Sequence, residues 1–231
     1  MPLTALEVSA LELSLRVALV SVLTSLPFGL AAAWLLARTR FPGKSLIDGL
    51  IHLPLVLPPV VVGYALLVLF GRRGVVGAWL YESLGITLAF DWKGAALASA
   101  VMAFPLMVRA IRLSLEAVDR RLEAAARTLG AGPLRVLLTV TIPLTAPGIL
   151  TGAILAFARS VGEFGATITF VSNIPEVTQT LPLALYSLIQ QPGGEAAAAR
   201  LTIIAIVVAL LALIASEILA RRIARRIAGA A

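Results

Sequence analysis

The chain has 231 residues, of which 60% are hydrophobic and only 13% charged, and it carries a net charge of +7. A soluble domain holds about 25% charged residues, so this balance excludes an ordinary soluble bundle, whose helices need polar faces. The absence of cysteine excludes disulfides and thiolate metal sites. A basic balance suggests nucleic acid in a soluble chain, but the arginines here cluster beside apolar runs, where orientation and anionic headgroups explain them. With no aromatic interleaving, membrane lipid is the expected partner and nucleic acid is not.

A hydrocarbon core about 30 Å thick is crossed by about 20 apolar residues in a helix. Five stretches meet that need, near residues 11–37, 46–70, 94–115, 146–171 and 197–220. Their Leu, Ala, Val and Ile content favours helices over the alternating strands of a barrel. The expected architecture is an all-α integral membrane protein, one transmembrane domain over residues 1–231 with no internal repeat or soluble appendage.

The N-terminal MPLTALEVSALELSLRVA, which runs into the first stretch, lacks a positively charged start and a convincing cleavage site, so the span is expected to be retained. The second holds Pro54, Pro58 and Pro59 within HLPLVLPPVVVGY. Each proline removes a backbone donor, which predicts a bent or broken helix. Such backbone is tolerated in a membrane only where protein or water shelters it; it reads equally as a hinge lining a pathway and as a static kink. His52 reads as a satisfied interfacial histidine, and a single histidine is too little for a metal centre.

Arg38, Arg40 and Lys44 follow the first stretch, Arg109 and Arg112 end the third, and Arg120, Arg121, Arg127 and Arg135 separate the third from the fourth. Arg221, Arg222, Arg225 and Arg226 follow the fifth. All fall on one side if the N-terminus is outside and the C-terminus cytosolic, and the positive-inside rule makes that side the cytosol.

Between the third and fourth stretches, residues 116–143 read as a charged helical hairpin. Asp119 suits an N-cap or first-turn acid, and Leu122, Ala125, Ala126 and Leu129 form a small apolar face. Gly130 suits the left-handed residue that closes a helix, and Pro133 suits the first turn of the next. Leu134, Val136, Leu137 and Leu138 would add contact area, and the arginines would steer an encounter.

The fourth stretch and its exit read AFARSVGEFGATITFVSNIPEVTQTLPLALY. Arg159 and Glu163 lie four residues apart and are expected to pair, since a charge facing lipid costs about 3 kcal/mol. Ser160 and Thr167 recur with Glu163 at helical spacing, and Thr169, Ser172 and Asn173 extend the polar character outward. These five hydroxyl and amide residues are candidates for a translocation pathway. A lone acid without a base, nucleophile or metal cluster predicts no catalytic residue.

The stretch EAVDRRLEAAARTLGAGPLRVLLTVTIPLTAP resembles the loop by which permease subunits of bacterial ABC importers engage their ATPase subunits. The family pattern is Glu-Ala-Ala, three residues, Gly, nine residues, then apolar, any, apolar, Pro. Ala125, Ala126, Gly130, Val140, Ile142 and Pro143 fall in register, while the family's Glu position holds Ala124 and the acid sits one residue earlier, at Glu123. The resemblance implies coupling to the ATPase through Glu123, Ala125, Ala126, Gly130, Ile142 and Pro143.

GEFGATITFVSNIP, TQTLPLALY and QQPGGEAAAARL are similar to the molybdate-importer permeases within that family. That implies a type I ABC-importer fold, a homodimeric pore in a bacterial or archaeal inner membrane, two cytosolic ABC ATPase subunits that bind ATP and Mg, and an extracytoplasmic binding protein delivering molybdate or tungstate. No cofactor is implied in this chain. Transport would proceed by alternating access, with only transient oxyanion contacts in the pore. The alternatives are a permease for sulfate, thiosulfate or another oxyanion, and, in a different class, a membrane enzyme or assembly subunit. The last lacks support, since no phosphate loop, HExxH pair or serine-nucleophile motif is present.

Overall fold

A computed structural model describes residues 4–228, and for residues 216, 217, 219 and 220–228 the backbone alone. Its elements are helices α1 (Ala5–Arg38), α2 (Lys44–Val56), α3 (Pro59–Phe70), α4 (Val75–Leu84), α5 (Trp92–Ala117), α6 (Arg120–Thr128), α7 (Pro133–Val136), α8 (Ile142–Val161), α9 (Gly165–Val171), α10 (Leu181–Ile189) and α11 (Glu195–Ala228), with a π turn at Leu137–Thr141. Arg221, Arg222, Arg225 and Arg226 lie on the backbone of α11, but their side chains are outside the described residues.

α5 is the central helix, and the first half of its buried face is dominated by small side chains, with Val108, Ile111 and Leu115 buried further along. Ala95, Ala98, Ser99, Ala103 and Met107 are all buried on it, and α1 and α8 pack against it from two sides. Small residues draw membrane helices together, because lipid supplies no hydrophobic drive between them. α8 approaches closely at Gly148, where a Cβ would stand 2.1 Å from Cβ of Ser114. Ser21 of α1 and Ser160 of α8 also share a buried hydrogen bond of 3.0 Å.

The second span is broken into two helices, as its prolines predict. α2 and α3 meet at an angle of 113°, and the break falls at the Pro58-Pro59 pair. Proline disfavours the helical conformation in the residue before it, and Leu57 accordingly adopts ψ 142. Pro59 then starts α3, where a missing N–H is harmless. Pro54 stays inside α2. Among the described residues four helices are long and apolar enough to cross a membrane, and the α2–α3 pair makes five if taken as one broken span.

The fourth span is shifted from its expected position. A long apolar unit runs from Pro133 to Val161, so the hairpin's second arm continues into the span. The chain then breaks at Gly162–Phe164, and α9 is a separate short helix. α9 packs on α3, so the second halves of two broken elements meet. A Cβ on Gly63 would lie 2.5 Å from the Ala166 carbonyl oxygen and 2.9 Å from Thr169 Cβ, so only glycine lets these helices touch at this depth. α4 and α10, in the stretches between spans, had no counterpart in the sequence reading.

Candidate functional site

The hairpin is built by its caps. Asp119 precedes α6 and its Oδ1 accepts the N–H of Arg121 at 2.9 Å. At the far end the Gly130 N–H bonds the Arg127 carbonyl and the Ala131 N–H bonds the Ala126 carbonyl. Those two bonds form a Schellman closure, with Gly130 at φ +85. Pro133 begins α7. The chain direction reverses here because only glycine holds the left-handed conformation without strain.

The exposed surface of the hairpin mixes apolar residues with Arg120, Arg121, Arg127 and Arg135. Leu122, Leu129, Leu134 and Leu138 are exposed, Leu129 to 89%, and Ala125 joins them, with Ala126 half-buried at the edge. Val136 and Leu137, expected to add contact area, instead turn inward, Val136 being buried and Leu137 half-buried. Pro143 lies just past the π turn and is exposed, while Ile142 is half-buried. Pro143 has no N–H for the carbonyl four residues back. The π turn absorbs this defect, with the Ile142 N–H bonding the Leu137 carbonyl five residues back.

Glu123 does not share the exposed face. Its Oε1 lies 2.8 Å from Nη2 of Arg38, the last residue of α1, and accepts the Thr141 hydroxyl at 2.9 Å. A shift of one residue turns a helical side chain by about 100°. The acid at 123 rather than 124 therefore points toward α1 and the π turn.

At the α8–α9 break, Glu163 is almost fully buried. Its Oε2 is 2.6 Å from Nη1 of Arg159, which forms the expected pair, and its Oε1 accepts the Ala166 N–H at 2.9 Å. The carboxylate thus holds the last turn of α8 to the first turn of α9. Ser160 is buried against Ser21, and Thr167 is buried with its hydroxyl unpartnered. Neither presents a surface within the single chain. Thr169 is half-buried and its hydroxyl bonds the Gly165 carbonyl. Ser172 is exposed. Asn173 donates to Ser187 Oγ at 2.7 Å and accepts from Gln179 Nε2 at 3.0 Å, beside a cavity of about 480 Å³ that also reaches Glu7 and Gln191. The five pathway candidates therefore fall into two sets, an inner Ser160–Thr167 pair and an outer Thr169–Ser172–Asn173 group.

Two polar clusters escaped the sequence reading. His52 Nδ1 lies 2.8 Å from the Asp48 carbonyl, and Asp48 Oδ2 pairs with Arg112 at 2.9 Å, which also holds Glu116 at 2.8 Å. The cluster ties α2 to α5 and accounts for the histidine as a satisfied residue. At the other end, Arg200 of α11 donates to buried Glu7 of α1 at 2.9 Å, and Glu7 also closes a capping box with Thr4. The i, i+4 spacing of Arg112 and Glu116 was legible; the long-range partners were not. Among the described residues no group of three or more His, Cys, Asp or Glu could hold a metal ion.

Residues 25–228 match the family described as "Binding-protein-dependent transport system inner membrane component". The chain is 65% identical to the molybdenum transport system permease protein ModB of Escherichia coli strain K12, over 99% of this chain and 100% of that one. It is 60% identical to the Haemophilus influenzae protein of the same name, over 96% and 97% of the two chains. Its fold is similar to that of a bacterial ABC transporter involved in the import of the acidic polysaccharide alginate, with a TM-score of 0.74 at 18% identity over 95% of this chain and 80% of that one.

Proposed function

The chain belongs to the family of binding-protein-dependent transport system inner membrane components, and on that premise we propose that it is the permease subunit of an ATP-driven importer of molybdate, with tungstate as an alternative cargo. The observation that carries this reading is identity of 65% to a molybdenum transport permease along essentially the whole of both chains. As a multi-pass component of the inner membrane, two copies of the chain form the pore. Each offers its hairpin to one of two cytosolic ATPase subunits, and a molybdate-binding protein docks on the opposite side. That orientation places the N-terminus outside and the C-terminus in the cytosol.

ATP and Mg are bound by the ATPase, and this chain contributes no catalytic group. Its exposed ridge, Leu122, Ala125, Leu129, Leu134 and Leu138, is apolar contact area at the tip of a rigid turn. Such a ridge is suited to being gripped, with Ala126, Gly130, Ile142 and Pro143 setting its shape. Closure of the ATPase pair displaces the hairpins, and α5 and α8, joined directly to them, tilt to open the pore outward. Hydrolysis resets the inward-facing state. Thr169, Ser172 and Asn173 offer the oxyanion transient polar contacts, while buried Ser160 and Thr167 join the lining only as α8 and α9 part. Glu163, neutralised by Arg159, does not repel the anion.

The test is uptake of labelled molybdate into vesicles holding the chain, its ATPase and its binding protein, with tungstate and sulfate as competitors. ATP-dependent uptake blocked by tungstate but not by sulfate is expected. Competition by sulfate would widen the cargo to oxyanions generally, and no ATP-dependent uptake from an assembled complex would overturn the transport reading.

A further inference from the structure

Three elements meet at one carboxylate oxygen. Oε1 of Glu123 in α6 receives Nη2 of Arg38, the last residue of α1, at 2.8 Å, and Oγ1 of Thr141 in the π turn at 2.9 Å. The side chains of Arg38 and Glu123 are only 8% and 12% exposed. Thr141 is buried, and its own carbonyl accepts the hydroxyl of buried Thr145 at 2.7 Å. Taking two charges out of water costs as much as their attraction returns, so such a pair adds little stability over apolar packing. What it adds is direction: the link is either made with good geometry or lost.

The helices around the hairpin differ in how they are joined to it. α5 ends at Ala117 and α8 continues out of the π turn, so both follow the hairpin through the backbone. α1 is separated from Glu123 by 85 residues of chain. Between α1 and residues 116–141, the Arg38–Glu123 contact is the one side-chain hydrogen bond among the described residues. α1 packs along α5 and α8, but against the hairpin's second arm the packing is open. A cavity of about 600 Å³, lined by Leu30, Ala31 and Leu35 of α1 and by Leu137, Ile142 and Ile149, lies between α1 and the hairpin's second arm.

We infer that Arg38, Glu123 and Thr141 form a latch that makes α1 move with the hairpin, so that displacement at the ATPase-facing surface reaches α1 as well as the two helices joined to it covalently. The inference rests on the importer reading above. Glu123 is then a positioning residue acting through Arg38 and not a contact for the ATPase. An open latch leaves α1 to follow only through its packing on α5 and α8, so its end lags the hairpin and hydrolysis couples less tightly to transport.

The experiment uses the reconstituted complex of chain, ATPase and binding protein, and reads molybdate moved per ATP hydrolysed. Glu123→Gln and Arg38→Met are expected to lower that ratio at least fivefold while hydrolysis continues. Glu123→Asp should retain most of it, Thr141→Val should lower it about twofold, and the reversal Arg38→Glu with Glu123→Arg should recover it to within about twofold. Equal falls in hydrolysis and uptake, or an unchanged ratio in assembled complexes, would overturn the latch. A second readout is independent of cargo. The chain has no cysteine, so Arg40→Cys and Arg121→Cys can be labelled as a pair and their separation followed on adding ATP. The latch predicts a constant distance in the parent and a changing one with Glu123→Gln, and the same distance change in both would overturn it. A parent complex that hydrolyses ATP with a constant label distance but moves no molybdate would overturn the cargo reading and leave the latch standing.

Discussion

Glu163 and Arg159 form an ion pair of 2.6 Å in which the acid is 1% and the base 29% exposed. The same carboxylate caps α9 through the Ala166 N–H. Its role is therefore mechanical, since it closes the gap left where α8 ends at Val161 and α9 starts at Gly165. Removing one partner of such a pair leaves a buried charge or a bare helix start. Glu163→Ala is expected to destabilise the detergent-solubilised chain by about 3 kcal/mol, read as a lower unfolding midpoint. Glu163→Gln keeps an acceptor for Ala166 and should cost about half of that, by the ordinary value of a hydrogen bond to a charged group. Equal effects would assign all the stability to the charge.

Gly63 gives a sharper packing test. A methyl group there meets the Ala166 backbone at 2.5 Å, whereas at Gly49 nothing lies within 4 Å. Gly63→Ala should lower stability by about 1–3 kcal/mol through overpacking. Gly49→Ala, inside α2, should raise it by up to about 1 kcal/mol through helix propensity. Opposite signs in one unfolding assay check both.

Gly130 stands at φ +85 with open space around it, so its substitution strains backbone without creating a clash. Gly130→Val should cost about 1–2 kcal/mol locally. Membrane insertion and the helix content of the spans should be unchanged, while ATP-dependent uptake falls strongly. Circular dichroism and vesicle uptake on the same preparation separate the two.

Ser172 has φ 65 and ψ −164, a region that glycine alone occupies without strain. It is held there from Thr178, whose hydroxyl donates to the Ser172 carbonyl at 3.2 Å and accepts the Ile174 N–H at 2.9 Å. Ser172→Gly is expected to raise the unfolding midpoint by an amount equivalent to about 1 kcal/mol. If the Ser172 hydroxyl also touches the passing oxyanion, uptake falls in the same variant although stability rises.

The buried Ser21–Ser160 bond should yield a coupling energy of about 0.6 kcal/mol in a double-mutant cycle with alanine, the average for side-chain hydrogen bonds between membrane helices. A value near zero would mean that each hydroxyl finds another partner, such as a carbonyl of its own helix.

Much of this was legible along the chain, because the signals are local. Apolar length marks a membrane helix, Asp119 and Gly130 mark the two ends of α6, the Pro58-Pro59 pair marks a break, and the spacing of Arg159 and Glu163 marks a pair. Each depends on neighbours within a turn or two, where backbone sterics and helical period dictate the outcome. The hairpin and its family pattern were readable for the same reason.

What tertiary structure decided is direction and partnership. Whether Glu123 faced outward or back to Arg38 depended on how α6 lies against α1 and the π turn, which a contact across 85 residues sets. The same holds for Arg200 with Glu7 and for Arg112 with Asp48. The end of α8 at Val161 needed the carboxylate of Glu163 to satisfy a new helix start, and the burial of Ser160 and Thr167 needed α1 and α3 in place. Sequence fixes which residues are too polar to face lipid; only the packed helices determine which of them satisfy one another and which remain free to meet a solute.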